Sequence, residues 1–415
     1  MPHTTKIASI AELTEHLRLL QTEYTYEKES YLEKSKAGGI QRKIQQGFCW
    51  YPVRAERNYY NSLNLPVIEI VYNGEEEAEH FFEHGRPVCF FTFDLNRKQR
   101  YFTFTGTISY IRDNRMVVIL PQASFATTLQ QCTDLGIQLY FDETSYQSMF
   151  TALRETIAAK GNRLAELREI LSGAHPFRER KLPLLRFPWL NDQQEKAVNH
   201  VLRAQDIAIV HGPPGTGKTT TLVEAIYETL HKENQVLVCA QSNMAVDWIS
   251  EKLVDRGIHV LRIGNPTRVN DKMLSFTYER RFEAHPDYPE LWNIRKTIRE
   301  LSPKLRKRET REAVYSRLQH LRHRATELEI KIEQELFGEA RVIASTLVGS
   351  ANKILEGKRF STLFIDEAAQ ALEAACWIAI RKADRVILAG DHCQLPPTTV
   401  SYTHLRAHET RHDLV

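Results

Sequence analysis

A glycine-rich stretch of ten residues, HGPPGTGKTT at 211–220, has the residue types and the spacing to hold phosphate. Its glycines let the backbone turn N–H groups toward an anion, because no side chain blocks the approach. Lys218 offers a positive charge to the β- and γ-phosphates, and the Thr219 hydroxyl can complete the coordination shell of Mg²⁺. The stretch predicts a nucleoside triphosphate site. The residues assigned to it are Gly212, Pro213, Pro214, Gly215, Thr216, Gly217, Lys218, Thr219 and Thr220.

Two adjacent acids and two glutamines could complete this chemistry. Asp366, which follows an apolar run, can hold Mg²⁺ directly or through water, and Glu367 can take a proton from the water that attacks the γ-phosphate. Gln394 carries an amide that both donates and accepts, so it can register whether the γ-phosphate is present. Upstream of the glycines, the amide of Gln194 could bond an adenine edge in the same way.

The elements that must position these residues are short apolar strands alternating with helices. A strand at 207–210 precedes the glycines and a helix-compatible run at 219–230 follows them, so the helix N-terminus points at the anion. Further strands are predicted at 236–240, 259–263, 342–345, 363–365 and 386–389. Such a pattern indicates an α/β fold whose parallel sheet is covered by helices on both faces.

The first half of the chain predicts a different architecture. Apolar residues recur at helical spacing over 10–32, and a second helical pattern covers 146–172. Between them, strands are predicted at 67–72, 87–93, 100–110 and 115–120. Several short strands in so few residues favour a small antiparallel barrel, flanked in this chain by two stalk helices.

The aromatic and basic residues of this barrel leave two interpretations open. The aromatics could stack nucleic-acid bases, or they could fill the barrel interior, which is the commoner use of such side chains. They are Phe90, Phe91, Phe93, Tyr101, Phe102 and Phe104. A basic hairpin tip of Arg97, Lys98 and Arg100 could contact a phosphate backbone or remain a solvated loop.

A long interruption separates two of the predicted strands, between residues 266 and 340. Its second half, 291–336, is helical by period and rich in arginine and lysine, which predicts an inserted, basic helical hairpin. Such a charge run is usually a solvated helix face, but its density makes nucleic acid or a partner domain a competing interpretation.

Composition restricts the class of protein. The 415 residues are 42% hydrophobic and 26% charged, as in globular proteins, and the net charge of +3 requires any nucleic-acid binding to come from local patches. No run of 18 apolar residues predicts a membrane span, and the first residues lack the pattern of a signal peptide. Six cysteines without a C-x-x-C pair predict reduced thiols in the cytoplasm.

The order LNxxQ, GPPGTGKTT, VLVCAQSNMAVD, RIGNPTR, DEAAQALEAACW and GDHCQLPPTT over 190–399 resembles superfamily 1B nucleic-acid helicases. The similarity is greatest to the group that contains the nonsense-mediated-decay helicase and the immunoglobulin-mu-binding helicase. The resemblance implies a RecA-like ATPase lobe that uses ATP and Mg²⁺ to move along single-stranded DNA or RNA, from 5′ to 3′. It also implies a small barrel on a helical stalk.

The resemblance also implies roles for individual residues. Gln194 would read adenine, Lys218 and Thr219 would bind phosphate and Mg²⁺, Asp366 would hold the metal, and Glu367 would be the catalytic base. Gln394 would couple nucleotide state to the grip on the strand. Contacts to the nucleic-acid backbone would come from Ser242, Asn243, Ser345 and Thr346. One departure is Gln241, where many relatives have proline, which would loosen the strand-contact loop.

These interpretations divide the chain into segments. The division is a stalk helix at 1–47, the barrel at 48–145, a second stalk helix and linker at 146–182, and a first RecA-like lobe at 183–399 with the insertion at about 267–340. Residues 400–410, VSYTHLRAHET, resemble a translated library adapter, so 400–415 is predicted to be a non-native tail. On this hypothesis the second RecA-like lobe is absent and the monomeric chain binds ATP weakly and hydrolyses it poorly.

Three classes of function compete. The first is a helicase or translocase on DNA or RNA. The second is a P-loop ATPase that remodels proteins, with the barrel and the hairpin as partner-binding modules. The third is a non-enzymatic nucleic-acid-binding fragment. The GDHCQLPP segment and the upstream glutamine favour the first class, because protein-remodelling ATPases carry different sensor elements.

Overall fold

The computed structural model describes residues 2–36, 39–74, 80–94, 98–264, 269–303 and 311–394. The chain forms two compact units. The sheet unit comprises the described parts of Met1–Lys36, Asp142–Gly264 and Ala340–Val415, and the barrel unit comprises those of Ala37–Phe141 and Asn265–Glu339. The predicted tail at 400–415 lies outside the described residues.

The main helices and strands are numbered in the order in which they follow one another along the chain. They are α1 (Pro2–Lys36), α2 (Ile40–Gln45), β1 (Cys49–Tyr60), β2 (Pro66–Tyr72), β3 (Pro87–Phe93), β4 (Gln99–Arg112), β5 (Arg115–Ile119), α3 (Ser124–Gln130), β6 (Leu135–Leu139), α4 (Glu143–Ala158), α5 (Arg163–Leu171), α6 (Asp192–Arg203), β7 (Ile207–His211), α7 (Lys218–Leu230), β8 (Val236–Ala240), α8 (Asn243–Asp255), β9 (Val260–Arg262), α9 (Tyr278–Glu283), α10 (Tyr288–Leu301), α11 (Arg311–Glu339), β10 (Val342–Thr346), β11 (Phe360–Asp366), α12 (Glu373–Ile380) and β12 (Ala383–Gly390).

The sheet unit contains a six-stranded parallel sheet in the order β7-β12-β11-β8-β10-β9. Its strands are short and mostly buried, with exceptions that include the exposed Ile209 and His211 of β7. The α/β fold with a parallel sheet, which the apolar runs predict, is confirmed. Because the strands are parallel, their carboxyl ends share one edge, and the loops that follow them meet there.

The stalk helices pack within the sheet unit. The Ser9 hydroxyl on α1 donates to Glu169 Oε2 on α5 over 2.8 Å, and Arg381 Nη1 after α12 donates to Glu155 Oε2 on α4 over 2.6 Å. The prediction of a single helix at 146–172 is wrong, because the helix is interrupted between α4 and α5. Gly161 adopts a left-handed φ of 62° there, and the Asn162 side chain caps the new helix.

The barrel unit contains a closed antiparallel barrel in the order β1-β2-β5-β4-β3-β6. The predicted barrel is therefore confirmed, although its first and last strands, β1 and β6, were not predicted. The interior is a continuous apolar cluster that includes Phe90, Ile108 and Ile137, none of which has exposed surface. Apolar burial of this kind supplies most of the free energy that holds a small barrel together.

The insertion contributes helices α9, α10 and α11 to the barrel unit, which confirms a helical hairpin of α10 and α11. Several of its basic residues are used inside the unit. Arg295 is buried and donates to Glu329 Oε1 over 2.8 Å, and Arg324 bridges to Glu290 over 3.0 Å. The basic residues at 304–310 lie outside the described residues. The ion pairs of Arg295 and Arg324 therefore connect α10 to α11.

None of the helices in the described part of the chain has an apolar stretch that would cross a bilayer.

Candidate active site

The glycine-rich loop joins the end of β7 to the first turn of α7. Gly215 and Gly217 have φ values of 80° and 78°, which favour glycine because other residues rarely adopt that region. A Cβ at Gly217 would also lie 2.4 Å from Gln194 Nε2. No side chain caps the N-terminus of α7, so the first backbone N–H groups of the helix are free to bind an anion.

Three loops converge at the carboxyl edge of the sheet, because β7, β12 and β11 are adjacent parallel strands. The backbone N–H of Gly212 donates to the carbonyl of Gly390 over 3.2 Å, which joins the glycine-rich loop to the end of β12. A Cβ at Gly390 would lie 3.1 Å from the backbone nitrogen of Ala369, in the turn after β11. The glycine-rich loop, the acidic pair and the Gln394 turn therefore leave the sheet side by side.

Lys218 and Glu367 form an ion pair at this edge. The lysine Nζ lies 2.8 Å from Glu367 Oε1, and the lysine side chain is only 8% exposed. Gln370 Nε2 donates to the other carboxylate oxygen over 3.2 Å. Glu367 has a left-handed backbone, with φ 52° and ψ 39°, and strained conformations of this kind concentrate at functional sites. The pair directs the lysine charge toward the acid that follows β11.

Asp366 is the last residue of β11 and its carboxyl is buried. Burial raises the pKa of Asp366 to about 6, and the negative charge of Glu367 adds to the shift. The backbone N–H of Glu367, which donates to Asp366 Oδ1 over 2.9 Å, and the charge of Lys218 offset the shift only in part. A cation at this carboxyl would stabilise its ionised form. The buried oxygen donor therefore suits Mg²⁺, and Thr219, in the first turn of α7, supplies a hydroxyl of the same hard type.

The two glutamines lie in different settings around the loops. Gln194 completes a capping box at the start of α6, where its oxygen accepts from the backbone N–H of Asn191 over 3.1 Å. Its Nε2 donates to the carbonyl of Thr216 over 3.0 Å, so the amide lies against the glycine-rich loop. Gln394 Nε2 donates to Asp391 Oδ2 over 3.1 Å. The amide of Gln394 is thereby held on the turn that follows β12.

The four residues predicted to contact nucleic acid lie at the carboxyl ends of two paired strands. Ser242 and Asn243 follow β8 at the start of α8, and Ser345 and Thr346 are the last two residues of β10. Ser242 is exposed and caps α8 by accepting from the backbone N–H of Ala245 over 3.1 Å. Ser345 has no exposed surface, and its hydroxyl lies 3.5 Å from Cys239 Sγ. Thr346 is half-buried, and its hydroxyl accepts from the backbone N–H of Gly349 over 3.0 Å.

Arg262, on β9, is a residue that the sequence interpretation missed. It has no exposed surface, and it donates to Asp247 Oδ1 and to Asn243 Oδ1, each over 2.8 Å. Burial lowers the pKa of Arg262, and the charge of Asp247 opposes that shift. The guanidinium therefore fixes the first turn of α8 and the fourth predicted contact residue, Asn243. The sequence signal that could have indicated this role is a single arginine within the largely apolar run HVLRI.

A parallel sheet with a glycine-rich loop on β7, an acidic pair on β11 and a polar turn on the intervening strand β12 defines a RecA-like P-loop ATPase lobe. A family profile described as an AAA domain matches residues 189–402, just over half of the chain.

Relatives of known name share this part of the chain. DNA polymerase alpha-associated DNA helicase A of Schizosaccharomyces pombe is 37% identical over 216 residues, which are 51% of this chain and 33% of that protein. DNA-binding protein SMUBP-2 of Rattus norvegicus is 32% identical over 309 residues, 72% of this chain and 31% of that protein. ATP-dependent helicase upf1 of Schizosaccharomyces pombe is 32% identical over 293 residues, 65% of this chain and 30% of that protein.

The chain belongs to the AAA domain family, in the superfamily 1 helicase group that contains the nonsense-mediated-decay helicase and the immunoglobulin-mu-binding helicase. It spans about a third of the length of these three relatives.

Proposed function

We propose that this chain carries the first ATPase lobe of a motor that hydrolyses ATP to move along a single strand of DNA or RNA. The observation that carries the proposal is the Lys218–Glu367 ion pair, beside the buried Asp366, at the sheet edge where the glycine-rich loop begins α7. The family membership and the names of its relatives, which include ATP-dependent helicases, support the same function.

The ion pair suggests how ATP binding and catalysis are linked. A γ-phosphate in the glycine-rich loop would attract the Lys218 ammonium, because the loop and the free N–H groups of α7 hold the phosphate beside it. Glu367 would then lose its cationic partner at 2.8 Å and become a stronger base for the attacking water. Lys218 therefore reports nucleotide binding to the residue proposed as the catalytic base.

Asp366 and Thr219 are the proposed ligands of Mg²⁺ in this site. When bound there, Mg²⁺ would supply positive charge that stabilises the transferring phosphoryl group. Gln194 lies against the loop through Thr216, and we assign it to the adenine side of the site. Gln394 is assigned to sensing the γ-phosphate, from the turn that follows β12.

Contacts with the nucleic-acid strand are assigned to Ser242 and Asn243, which follow β8, and to Ser345 and Thr346, which end β10. Ser242 is exposed, and Asn243 and Thr346 are half-buried, so these three side chains can reach a strand. Ser345 has no exposed surface and would act through its backbone groups. Backbone contacts of this kind give affinity without base preference. Movement would follow when ATP closes this lobe on a second RecA-like lobe and hydrolysis reopens the pair.

The remaining assignments follow the family. We propose that 48–145 is a barrel domain, that 1–47 and 146–182 form its stalk and linker, and that 183–399 is the ATPase lobe with its insertion. Arginines that complete catalysis, travel from 5′ to 3′ and a cytoplasmic location are proposed for the whole motor. In related ATPases, such an arginine raises the rate on the order of a thousandfold or more.

The test measures ATP hydrolysis by this lobe joined to a second RecA-like lobe, with and without single-stranded DNA or RNA. The proposal predicts stimulation by at least one of the two strands. Glu367→Gln should abolish turnover while MgATP still binds, whereas Glu356→Gln, at an exposed position, should leave turnover unchanged. Turnover that neither strand stimulates would contradict a nucleic-acid motor and favour an ATPase that remodels proteins.

A further inference from the structure

Four residues whose side chains can bind metal ions lie at the start of the glycine-rich loop. His211 ends β7, and Asp391, His392 and Cys393 follow β12. Ligand atoms of His211, Asp391 and His392 all lie within 4.8 Å of one another. We call these four residues the histidine–cysteine cluster.

The individual distances in the cluster match those between ligands of one small ion. His211 Nε2 lies 3.1 Å from Asp391 Oδ1, and His392 Nε2 lies 3.6 Å from Cys393 Sγ. Bond lengths of about 2.0–2.3 Å in a tetrahedral zinc site place neighbouring ligand atoms about 3.3–3.6 Å apart. The rings of His211 and His392 have centroids 4.9 Å apart, and both residues have ligand atoms close to those of Asp391. Cys393, which lies next to His392, would have to turn its thiol toward the other ligands to bind the same ion.

Accessibility and charge also suit a metal ion. His211, His392 and Cys393 are exposed, so an ion can reach them from solvent, whereas Asp391 is buried beneath. The backbone N–H of Cys393 and the amide of Gln394 hold the pKa of Asp391 below its usual value. The carboxylate is therefore negatively charged at neutral pH, and it can bind an ion or orient His211, as carboxylates do in many zinc sites.

We propose that His211, His392 and Cys393, with Asp391, form a binding site for a divalent transition ion of the Zn²⁺ class. The donor set separates it from the Mg²⁺ site assigned above. Imidazole and thiolate select zinc and related ions, whereas Asp366 and Thr219 offer only oxygen.

An ion at this position would connect two parts of the ATPase machinery. It would join the last residue of β7, which opens the glycine-rich loop, to the turn that carries Gln394. Asp391 already contacts both sides, through His211 at Oδ1 and through Gln394 at Oδ2. A bound ion would therefore restrain the Gln394 turn, so that ATPase activity would depend on the concentration of the transition ion.

The test titrates the full 415-residue chain, reduced and free of chelator, with Co²⁺ as a spectroscopic probe and Zn²⁺ as competitor. Binding at the cluster should give thiolate-to-cobalt charge-transfer absorption that Zn²⁺ removes. Cys393→Ser should abolish that absorption, and His392→Asn should weaken binding at least about tenfold, by comparison with losses at zinc sites. Cys132→Ser and His323→Asn, at cysteine and histidine positions elsewhere in the chain, are matched controls that should bind as the wild type does.

A second measurement needs no variant. Zn²⁺ should slow alkylation of Cys393 in the wild-type chain, located by peptide mass analysis, while MgCl₂ should not. Absence of the charge-transfer absorption, binding that survives both Cys393→Ser and His392→Asn, or alkylation of Cys393 that Zn²⁺ does not slow would overturn the site. Loss of Co²⁺ binding in Asp366→Asn would instead place the ion at the acidic pair and would equally overturn it.

Discussion

The interior of the barrel and the carboxyl edge of the sheet bury opposite kinds of side chain. The barrel core cluster is built from apolar residues such as Phe90 and Ile108, which have no exposed surface. The sheet edge buries Asp366 and Asp391. Apolar burial stabilises a fold, whereas a buried charge costs free energy unless it is paired. The barrel interior therefore stabilises the fold, whereas the sheet edge is less stable because it holds carboxylates that can take part in chemistry.

The same contrast exists within the sheet edge. Burial raises the pKa of Asp366 to about 6, with one backbone N–H offsetting it. Asp391 accepts from the backbone N–H of Cys393 and from Gln394, and its pKa is lowered. Asp366 ends β11 and Asp391 follows the adjacent strand β12. These two buried carboxylates thus differ because Asp391 accepts more hydrogen bonds than Asp366 does. The acid with fewer donors, Asp366, is the one assigned to Mg²⁺.

The largest predicted effect tests the apolar side of this comparison. Phe90→Ala should lower the free energy of unfolding by about 3–5 kcal/mol, because it removes a ring from the filled barrel core. Tyr110→Ala, at an exposed ring on β4, should change it by no more than about 0.5 kcal/mol. Denaturant unfolding followed by circular dichroism measures both. Equal losses in the two variants would mean that Phe90 is not a core residue.

The next prediction tests the cost of the buried acid. Between the unfolded pKa of 3.8 and about 6, the folded chain binds more protons at Asp366 than the unfolded chain does, so stability falls as pH rises through this window. Asp366→Asn should remove that fall and stabilise the divalent-free chain at pH 7 by about 3 kcal/mol, since about two pKa units are involved. Thermal unfolding at pH 4, 5, 6 and 7 measures the difference.

Asp391→Asn is the matched comparison, and its expected effect on stability has the opposite sign. In the wild type, the lowered pKa of Asp391 stabilises the folded chain above the usual aspartate pKa, and that contribution is lost as pH falls through the folded pKa. The variant should therefore be less stable than the wild type at pH 7. If Asp366→Asn and Asp391→Asn shifted stability in the same direction, the contrast between the two acids would be wrong.

A third prediction concerns nucleotide binding. Lys218→Ala should weaken binding of a fluorescent ATP analogue with Mg²⁺ by roughly 10- to 150-fold, because a charge-assisted hydrogen bond contributes about 1.5–3 kcal/mol. Lys252→Ala removes an exposed lysine on α8 and should leave binding unchanged. Wild-type affinity in Lys218→Ala would overturn the assignment of the phosphate site.

The smallest predicted effect concerns the left-handed backbone of Glu367. Glu367→Gly should be more stable than Glu367→Ala by about 1 kcal/mol, because glycine adopts φ near 52° without a Cβ penalty. Comparing two variants that both lack the carboxylate cancels the loss of the Lys218 pair. Denaturant midpoints at pH 7 give the difference, and a more stable alanine variant would indicate that φ is negative at this position.

The aromatic residues of the barrel show what pattern alone could predict. The interpretation that they fill the interior is confirmed for Phe90 and Phe104, which belong to the buried core of the barrel. Phe91 is buried outside that cluster, against Tyr51, Phe93 and Tyr101. Tyr101 is exposed, so base stacking stays a prediction there. The basic hairpin tip is described only in part: Arg97 lies outside the described residues, and Arg100 approaches Asp94 at 3.5 Å.

The glycine-rich loop and the acidic pair were predictable because each is a contiguous stretch whose spacing is set by local geometry. The outer strands of the barrel were not. β1 contains Pro52 and several charged residues, and β6 is only five residues long. In β6, Gly136 is required because a Cβ there would lie 2.1 Å from the Phe91 ring, which no local pattern reveals. Such requirements arise only when distant strands are brought together.

Arg262 was missed for the same reason, since its partners Asp247 and Asn243 are 15 and 19 residues away in sequence. The buried side chain of Arg262 thus helps to shape a surface that is proposed to contact the nucleic-acid strand. Selection for strand affinity can therefore act on this interior position. Two relatives with identical surface residues at the contact can then differ in their affinity for a strand.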